Sequence, residues 1–280
     1  MNTFPKPYQP VEFIQVQTDQ WTRTVSGVIT ETQVALTVNG ETWFSFMCTP
    51  TDLEALAVGF LFNEGLIDSI EEVVSARVCP AGDNVDVWLT HSVEKPTAWS
   101  RTSGCTGGVT AVENQITNPS QLNSFSRSSL LQPVLNGKKV SCSQIQRLIE
   151  NLFESQDIYK KSGGVHTSVL SNGEEILAVA EDIGRHNTLD KIAGKTLFQG
   201  IKRERSILLS TGRISSEMLQ KAYRLGAFVV ISRTSPSSLS LENAIRLGIT
   251  LIGYARRNQF RVYTHPERIL EYDLYQKDKD

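Results

Sequence analysis

Residues 206–254, SILLSTGRISSEMLQKAYRLGAFVVISRTSPSSLSLENAIRLGITLIGY, decide the fold of this 280-residue chain. The stretch contains three short apolar runs, at 206–210, 227–232 and 249–254. Two segments with helical periodicity, 216–225 and 238–247, separate these runs. Short apolar strands that alternate with helices are typical of a parallel sheet buried on both faces, so the stretch predicts a β-α-β-α-β unit.

The residues before this unit extend the predicted sheet. Apolar positions at helical spacing predict one helix at 145–153 and another at 187–199. Between them, strands at 165–170 and 175–181 flank an Asn-Gly turn at 172–173, which is typical of a β-hairpin. Together with the β-α-β-α-β unit, these elements predict a three-layer α/β/α domain.

The N-terminal part of the chain is rich in β-branched and aromatic residues. Strands are predicted at 11–17, 21–30, 33–38, 42–48, 73–79 and 85–90. An Asn-Gly pair at 39–40 favours a type I′ turn between the third and fourth strands, so we expect an antiparallel meander. Thr51 and Glu54 have the spacing of a capping box, and the helix that follows is expected to end at Gly65.

A polar stretch between residues 114 and 139, rich in Ser, Asn and Gln, separates these two parts. We therefore predict a smaller N-terminal domain of antiparallel strands and a helix at 1–100, a connecting region at 101–141 and the three-layer domain at 142–280. The fold class is α/β, with an α+β N-terminal part.

Composition restricts the classes of partner. The net charge is −2 and the pI is about 6.1, whereas a surface for nucleic acid or anionic membranes requires an excess of basic residues. No segment approaches the roughly 20 apolar residues of a membrane span, and the start of the chain lacks the pattern of a secretory leader. We expect a cytoplasmic protein that binds neither nucleic acid nor membrane, with a homodimer left open. The four cysteines form no CxxC pair, so neither a zinc knuckle nor a dithiol couple is predicted.

Cys105 lies in the sequence TSGCTGG, at 102–108, where small residues leave the thiol accessible. Glycine permits backbone angles closed to other residues and lets a ligand approach closely. Arg101 and the backbone amides after Cys105 are candidates to stabilise the reactive thiolate. Two interpretations stay open: a nucleophile on a mobile loop, and a small buried apolar side chain.

Four loops that follow predicted strands each contain an arginine, and ligands of such sheets bind at the carboxyl ends of the strands. These arginines are Arg185, Arg213, Arg233 and Arg256. Three of the loops open a helix, whose N–H groups favour an anion, so the loops are candidates for a phosphate-rich ligand. The alternative is that Asn187, Ser215 and Ser237 serve only as N-caps.

His166 and His186 are candidate acid–base groups, although a single histidine is more often structural. Asp182 lies four residues before His186 and could orient its imidazole for general-base catalysis. The same three side chains could bind zinc, but their spacing matches no strong zinc motif, so no metal site is predicted.

Several separated motifs of the chain occur in a specific order. They are the glycine-flanked Cys105, SGGVH at 162–166, EDIGRHN at 181–187 with DK at 190–191, STGRISSEM at 210–218 and FRVYT at 260–264. Together they resemble the FdhD/NarQ family, the sulfur carriers required for formate dehydrogenase activity. The resemblance spans most of the chain and is more specific than any one motif.

The resemblance implies a sulfurtransferase. Cys105 would accept sulfur from a cysteine desulfurase as a persulfide and pass it to the molybdenum bis(molybdopterin guanine dinucleotide) cofactor of formate dehydrogenase. The residues expected to bind the cofactor, from the resemblance and from the arginine-bearing loops, are Phe260, Arg261, Val262, Tyr263, Thr264, His265, Arg185, His186, Arg213 and Ser215. The family also implies a second domain similar in topology to cytidine deaminases, although their zinc signature, H-x-E with P-C-x-x-C, is absent from this sequence.

The sequence departs from the family in one respect. Many members carry a second cysteine in the loop where Gly107 and Gly108 stand in this chain, which removes a partner for any relay of sulfur within the loop. Two alternatives to sulfur transfer stay open. One is a hydrolase that uses Cys105 with His186 and Asp182, and the other is a non-catalytic chaperone that delivers the molybdenum cofactor.

Overall fold

The computed structural model describes residues 5–97, 99–101, 109–111 and 139–277. Its strands are β1 (Tyr8–Gln17), β2 (Gln20–Ile29), β3 (Thr32–Val38), β4 (Glu41–Cys48), β5 (Val73–Val78), β6 (Asn84–Leu89), β7 (Trp99–Arg101), β8 (Val109–Ala111), β9 (His166–Ser171), β10 (Ile176–Asp182), β11 (Ser206–Ser210), β12 (Ala227–Ser232), β13 (Thr250–Arg256) and β14 (Gln259–Val262). Its helices are α1 (Leu53–Asn63), α2 (Cys142–Glu154), α3 (Asp157–Ser162), α4 (Arg185–Phe198), α5 (Ser216–Arg224), α6 (Ser238–Leu247) and α7 (Tyr272–Lys277). Each strand and helix predicted from the sequence is present. Within these ranges, no helix has the length and apolar character required to cross a bilayer.

The larger sheet has the strand order β10-β9-β11-β12-β13-β14. Strands β11, β12 and β13 are parallel, as the β-α-β-α-β stretch predicts, with Val230 between Leu208 and Leu251. The β9–β10 hairpin is also confirmed, and β9 runs antiparallel to β11. Strand β14, which is too short to predict from periodicity, pairs antiparallel with β13. The carboxyl ends of β10, β11, β12 and β13 therefore meet at one edge of the sheet.

Helices cover both faces of this sheet. On one face, Ile145 and Leu148 of α2 pack against Val169 and Leu209. On the other face, α4, α5 and α6 contribute buried side chains to a second, larger core. This is the mixed α/β, three-layer arrangement expected from the sequence, while the similarity to cytidine deaminases stays a prediction.

The predicted N-terminal meander is wrong. Among the described residues, β1 and β2 pair only with each other as a separate two-stranded ribbon, and the second sheet has the order β4-β3-β6-β5. Strand β3 lies inside that sheet, parallel to β6, and its alternate residues Val34, Leu36 and Val38 are buried on one face. The Asn39-Gly40 turn is confirmed, with φ of 49° and 83°, as a type I′ turn requires.

The two sheets share the larger core through a close crossing of α1 and α4. A Cβ atom at Gly59 would lie 1.8 Å from the carbonyl oxygen of Asp190, and one at Gly194 would lie 2.0 Å from that of Ala55. The helices therefore touch backbone to backbone, which only glycine permits. The core is continuous across residue 100, and the domain boundary drawn there stays a prediction.

A buried ion pair lies beside this crossing. Lys221 of α5 contacts both carboxylate oxygens of Asp190 on α4, at 2.7 and 2.6 Å. Asn63 of α1 donates to the same carboxylate at 2.7 Å. One carboxylate thus joins three helices, and the carboxylate of Glu64, also buried, lies 3.9 Å from the same ammonium group.

The predicted capping box at the start of α1 is wrong. The N-cap is Asp52, not Thr51, and Asp52 has a left-handed backbone with φ of 52°. Its carboxylate does not cap the helix but pairs with Lys195 of α4 at 2.8 Å. Packing of α1 on α4 therefore determines how this helix begins.

Replacing Gly194 with alanine is expected to destabilise the protein by about 3 kcal/mol or more, because the new methyl group would overlap the backbone of α1. Chemical denaturation followed by circular dichroism measures the loss. The control is Gly200→Ala, since no atom lies within 4 Å of that Cβ position and φ is +61°. Its cost is limited to backbone strain of about 1–2 kcal/mol. Equal losses in the two variants would contradict the close crossing.

Candidate functional site

An open cleft of about 910 Å³ lies at the edge of the larger sheet where the carboxyl ends of the strands meet. Its lining comes from α3 and the turn after it, from the start of β9, from the loops that follow β10, β11 and β12, and from the end of β13. Lining residues important for its chemistry are Tyr159, Gly164, His166, Thr211, Arg233 and Arg256. The cleft is at the edge where the sequence analysis expects a ligand.

Buried hydroxyl groups fix the loops beneath the cleft. Ser168 of β9 bonds to Ser210 of β11 at 3.1 Å and to Thr188 of α4 at 2.7 Å. The Ser210 hydroxyl accepts a hydrogen bond from the N–H of Gly212, and the Ser232 hydroxyl donates to the Gly212 carbonyl at 2.7 Å. The loop after β11 is thus bonded to its neighbours on both sides, and these hydrogen bonds fix its shape.

The arginines of the four strand-end loops differ in exposure. Arg233 and Arg256 are exposed side chains that line the cleft. Arg213 is also exposed, whereas Arg185 is buried at the start of α4. Arg185 and Arg213 both lie close enough to lower the pKa of His166. Positive charge from all four loops therefore surrounds this edge of the sheet.

His166 is half-buried at the cleft. Its Nδ1 lies 3.3 Å from Oγ1 of Thr211. Burial lowers the pKa of His166, and the charges of Arg185 and Arg213 lower it further, against the opposing effect of Asp182. The imidazole is therefore neutral at pH 7, and the positive charge of the cleft comes from its arginines.

His186 is buried beside Ser215 and Glu217. Its Nε2 lies 3.5 Å from the Ser215 hydroxyl and 3.9 Å from the nearest carboxylate oxygen of Glu217. Burial lowers the pKa of His186. The His186 ring, and then the Ser215 hydroxyl at 2.6 Å, lower the pKa of Glu217 to about 2. At neutral pH the pair is a neutral imidazole and a carboxylate.

The predicted orientation of His186 by Asp182 is wrong, because Asp182 has other partners. Lys191 contacts the Asp182 carboxylate at 2.6 Å, and both side chains have no exposed surface. The carboxylate also accepts hydrogen bonds from the N–H of Thr49 at 3.0 Å and from the Asn187 side chain at 2.9 Å. Asp182 ends β10, whereas His186 lies in the first turn of α4 and contacts α5, so closeness in sequence does not bring the two together.

The same contacts remove Asp182 from the alternative zinc site with His166 and His186. In the part of the chain that the structure describes, no group of three or more His, Cys, Asp or Glu side chains is placed to hold a metal ion.

The starts of α5 and α6 are capped by their own serines, as the alternative interpretation of these loops expects. The Ser215 and Ser237 hydroxyls each accept a backbone N–H, at 3.4 and 3.2 Å. Asn187 is not a cap, since it lies inside α4 and bonds to Asp182. Glu217 places a carboxylate in the first turn of α5, which opposes an anion there, whereas the first turn of α6 has no acidic residue. The start of α6 is thus the better of the two for a phosphate.

The segment 260–265 lies on β14 and the turn after it. Phe260 and Val262 pack against the core under α2. Thr264 is buried, and its hydroxyl donates to the backbone carbonyl of Ile249 at 2.7 Å. His265 has a left-handed backbone and bonds to Glu267 through Nδ1 at 3.0 Å. These four side chains stabilise the edge of the sheet and do not line the cleft.

Arg261 and Tyr263, the other two side chains of this segment, are exposed. The Arg261 guanidinium stacks on the Tyr254 ring at 4.2 Å. A Cβ atom at Gly253 would lie 2.9 Å from both the Tyr263 ring and the carbonyl oxygen of Thr234, a residue of the cleft. Tyr263 therefore borders the cleft, and the N–H of Tyr254 donates to the same Thr234 carbonyl at 3.1 Å.

Cys105, the predicted sulfur carrier, lies outside the described residues, as do Gly107 and Gly108. Cys48 is buried, and burial raises its pKa to about 12. Burial also raises the pKa of Cys142. Because the thiolate is the reactive form, both thiols are poor nucleophiles at neutral pH.

Two carboxylates with clear structural roles were not identified from the sequence. Glu181 accepts hydrogen bonds from the N–H groups of Ile158 and Tyr159, at 2.6 and 3.0 Å, and so holds the start of α3 at the cleft. Glu217 holds His186. The Ser-Ser-Glu sequence at a helix start was an available signal for Glu217. No signal pointed to Glu181, because α3 is too short for a periodic pattern.

Comparisons with known proteins agree with one another. The model of the FdhD/NarQ family matches residues 29–270. A sulfur carrier protein FdhD from Staphylococcus haemolyticus (strain JCSC1435) is 32% identical over 264 residues, covering 93% of this chain and 96% of the relative. The protein of the same name from Bacillus pumilus (strain SAFR-032) is 34% identical over 263 residues, covering 92% and 95%. The crystal structure of a formate dehydrogenase accessory protein from Desulfotalea psychrophila superposes with a TM-score of 0.75 at 30% identity, covering 94% of this chain and all of that chain.

The buried neutral state of His186 predicts a loss of stability in mild acid. Below about pH 6.5 the unfolded chain binds a proton on this ring while the folded protein does not. The contribution of His186 to the free energy of unfolding is therefore fully present above that pH, and it is lost as the pH falls toward the lowered pKa of the folded state. One such group contributes a slope of at most about 1.4 kcal/mol per pH unit. Denaturation of His186→Gln at a series of pH values should give a shallower slope than the parent. An unchanged slope would contradict the assignment.

Proposed function

The chain belongs to the FdhD/NarQ family, and we propose that it carries sulfur from a cysteine desulfurase to the molybdenum bis(molybdopterin guanine dinucleotide) cofactor of formate dehydrogenase. Its relatives are named sulfur carrier proteins, and its structural neighbour is a formate dehydrogenase accessory protein. The molybdenum cofactor is here the substrate that receives sulfur. The observation that carries the proposal is the cleft at the strand ends with its two exposed arginines.

In the proposed first step, the Cys105 thiolate attacks the outer sulfur of the desulfurase persulfide. The donor's S–S bond breaks, a new S–S bond forms on Cys105, and the donor cysteine leaves as a thiolate, so no net oxidation occurs. Cys105 is then the persulfide carrier and the protein is a sulfurtransferase. The small residues that flank Cys105 allow a donor protein to reach the sulfur.

In the second step, the cleft holds the phosphate groups of the cofactor. Arg233 and Arg256 supply guanidinium groups that can bind phosphate in a bidentate manner. Thr234, which also lines the cleft, leads to the start of α6, where the first turn has no acidic residue to oppose an anion. Tyr263, beside the cleft, offers a flat surface for a guanine ring. Arg213 and Arg185 add positive charge near the same ligand.

The geometry disfavours the hydrolase alternative. A Cys-His-Asp hydrolase requires the carboxylate to orient the imidazole, and Asp182 is instead bound to Lys191 in the protein interior. The carboxylate beside His186 belongs to Glu217, and a serine hydroxyl lies between them. The chaperone alternative predicts cofactor binding without sulfur on Cys105, and the first experiment below separates it from sulfur transfer.

Incubation with a cysteine desulfurase and cysteine is expected to add one sulfur atom to Cys105, detected by mass spectrometry of the intact protein and its peptides. Cys105→Ser should lose the added sulfur, because Cys48 and Cys142 are held as thiols by burial. Cys79→Ser is the matched control and should label like the parent. Labelling that persists in Cys105→Ser would contradict the assignment, and cofactor binding with no labelling would favour the chaperone.

Guanosine diphosphate, as a partial mimic of the cofactor, is expected to bind at the cleft and to bind more weakly as salt is added. Arg233→Gln and Arg256→Gln should each weaken binding by about tenfold or more, since a charge-assisted hydrogen bond contributes roughly 1.5–3 kcal/mol. Arg246→Gln, an exposed arginine in the last turn of α6, is the control and should bind normally. Calorimetry that shows no preference over inorganic phosphate would leave only a generic anion site, and an equal effect of Arg246→Gln would exclude the cleft as the binding site.

A further inference from the structure

His166 offers one ring nitrogen to a ligand of the cleft. The Thr211 hydroxyl accepts the N–H of Thr167 at 3.0 Å, and the Thr211 N–H donates to the Thr167 carbonyl at 3.0 Å, so Thr211 is held against the start of β9. Nδ1 of His166 lies 3.3 Å from the same hydroxyl. Nε2 makes no hydrogen bond with any residue that the structure describes. The ring is thus fixed through one nitrogen, and the other is left for a ligand.

Charged and titratable groups from several elements surround His166. They are Asp182 of β10, Arg185 of α4, Arg213 in the loop after β11, Tyr159 of α3, Arg233 in the loop after β12 and Arg256 of β13. The carboxylate in this set, Asp182, is already paired with Lys191 at 2.6 Å. Among the described residues that line the cleft, none is acidic. The protein therefore surrounds His166 with cations and leaves it without an anion of its own.

These surroundings keep the imidazole neutral until an anion enters. Burial lowers the pKa of His166, and the charges of Arg185 and Arg213 lower it further. A phosphate group beside the ring supplies the missing negative charge, and an opposite charge within about 4–6 Å favours the charged form of a titratable group. The phosphate and the proton then stabilise each other, because each raises the affinity for the other by the same factor.

We propose that His166 takes up a proton when a phosphate group enters the cleft, and that it then binds this phosphate through Nε2 as a third cation beside Arg233 and Arg256. The inference rests on the proposed function, since it names a residue that completes the phosphate site of the cofactor. A protonated imidazole donates from both nitrogens, so Nδ1 donates to the Thr211 hydroxyl oxygen while Nε2 donates to the phosphate. The proton comes from the solvent and returns to it when the ligand leaves.

This coupling determines how the affinity of the cleft depends on pH. The pKa of His166 is lowered in the free protein, and a bound phosphate raises it. Affinity therefore rises as the pH falls from the pKa of the complex to that of the free protein, and it is constant outside that interval. A ligand that enters in this interval binds together with a proton, and loss of that proton favours its release.

Nuclear magnetic resonance of the four histidine rings, assigned on isotope-labelled protein, tests the proposal. Sulfate is the probe, because it keeps both of its charges between about pH 5 and 8, where histidine titrates. Saturating sulfate should move the titration midpoint of the His166 ring to higher pH. His91, which pairs with Glu72 and does not line the cleft, should titrate as before. A midpoint of His166 that does not move would overturn the proposal.

His166→Gln keeps a neutral hydrogen-bonding side chain but cannot take up a proton. Between about pH 8 and 5.5, the affinity of the parent for guanosine diphosphate should rise about tenfold more than that of His166→Gln, because a neighbouring opposite charge changes proton affinity by about tenfold or more. Comparison of the two proteins by calorimetry cancels protonation of the nucleotide itself. His91→Gln is the matched control and should behave like the parent. An equal rise in His166→Gln and the parent would contradict the proposal.

These outcomes differ from those that test the proposed function. A His166 ring that responds to sulfate, in a protein that does not prefer guanosine diphosphate over inorganic phosphate, would support the proton-linked anion site and count against the cofactor. Sulfur on Cys105 and nucleotide binding with an unmoved His166 ring would support the proposed function and overturn this inference. If His166→Gln does not fold, the titration of the parent decides.

Discussion

The structure depends on one contact, the crossing of α1 and α4 at Gly59 and Gly194. Because the backbones touch, α4 has little freedom to slide or tilt relative to the N-terminal sheet. The first turn of α4 carries Arg185 and His186, so the N-terminal sheet fixes the position of residues at the cleft edge. Hydrogen bonds strengthen this link, since the Thr49 hydroxyl accepts the N–H of Ile183 at 3.1 Å. The N-terminal part of the chain is therefore a support for the site and not an independent appendage.

A protein with a net charge of −2 presents a basic cleft because its carboxylates near the strand ends are used internally. Asp182 is neutralised by Lys191, Glu181 holds the start of α3, and Glu217 lies against His186. The arginines of two neighbouring loops, Arg233 and Arg256, face the solvent of the cleft instead. The net charge of the chain is thus a poor guide to the charge of the ligand, because the ligand meets only the charges that remain accessible after folding.

The elements that follow from local pattern were predictable, and those that depend on distant partners were not. The β-α-β-α-β stretch and the meeting of its loops follow from periodicity and from the geometry of parallel sheets. The parallel pairing of β3 with β6 joins residues 49 positions apart, such as Leu36 and Val85, which no local signal encodes. Gly59 and Gly194 appear in sequence only as weak positions in helices, and their purpose is visible only when the two helices are seen together. The predicted pairing of Asp182 with His186 is wrong although the two residues are close in sequence. A strand end and a helix start that are only four residues apart face different neighbours.

Helix α3 connects the cleft to the β1–β2 ribbon, and its own packing is slight. It has no fully buried residue, and its start is fixed by the Glu181 carboxylate while its end is fixed by Tyr8 and Gly27 of the ribbon. Since Tyr159 of α3 lines the cleft, the position of that wall depends on one buried carboxylate and on the base of the ribbon. A wall that is fixed at two ends by few contacts can move more readily than the packed sheet opposite.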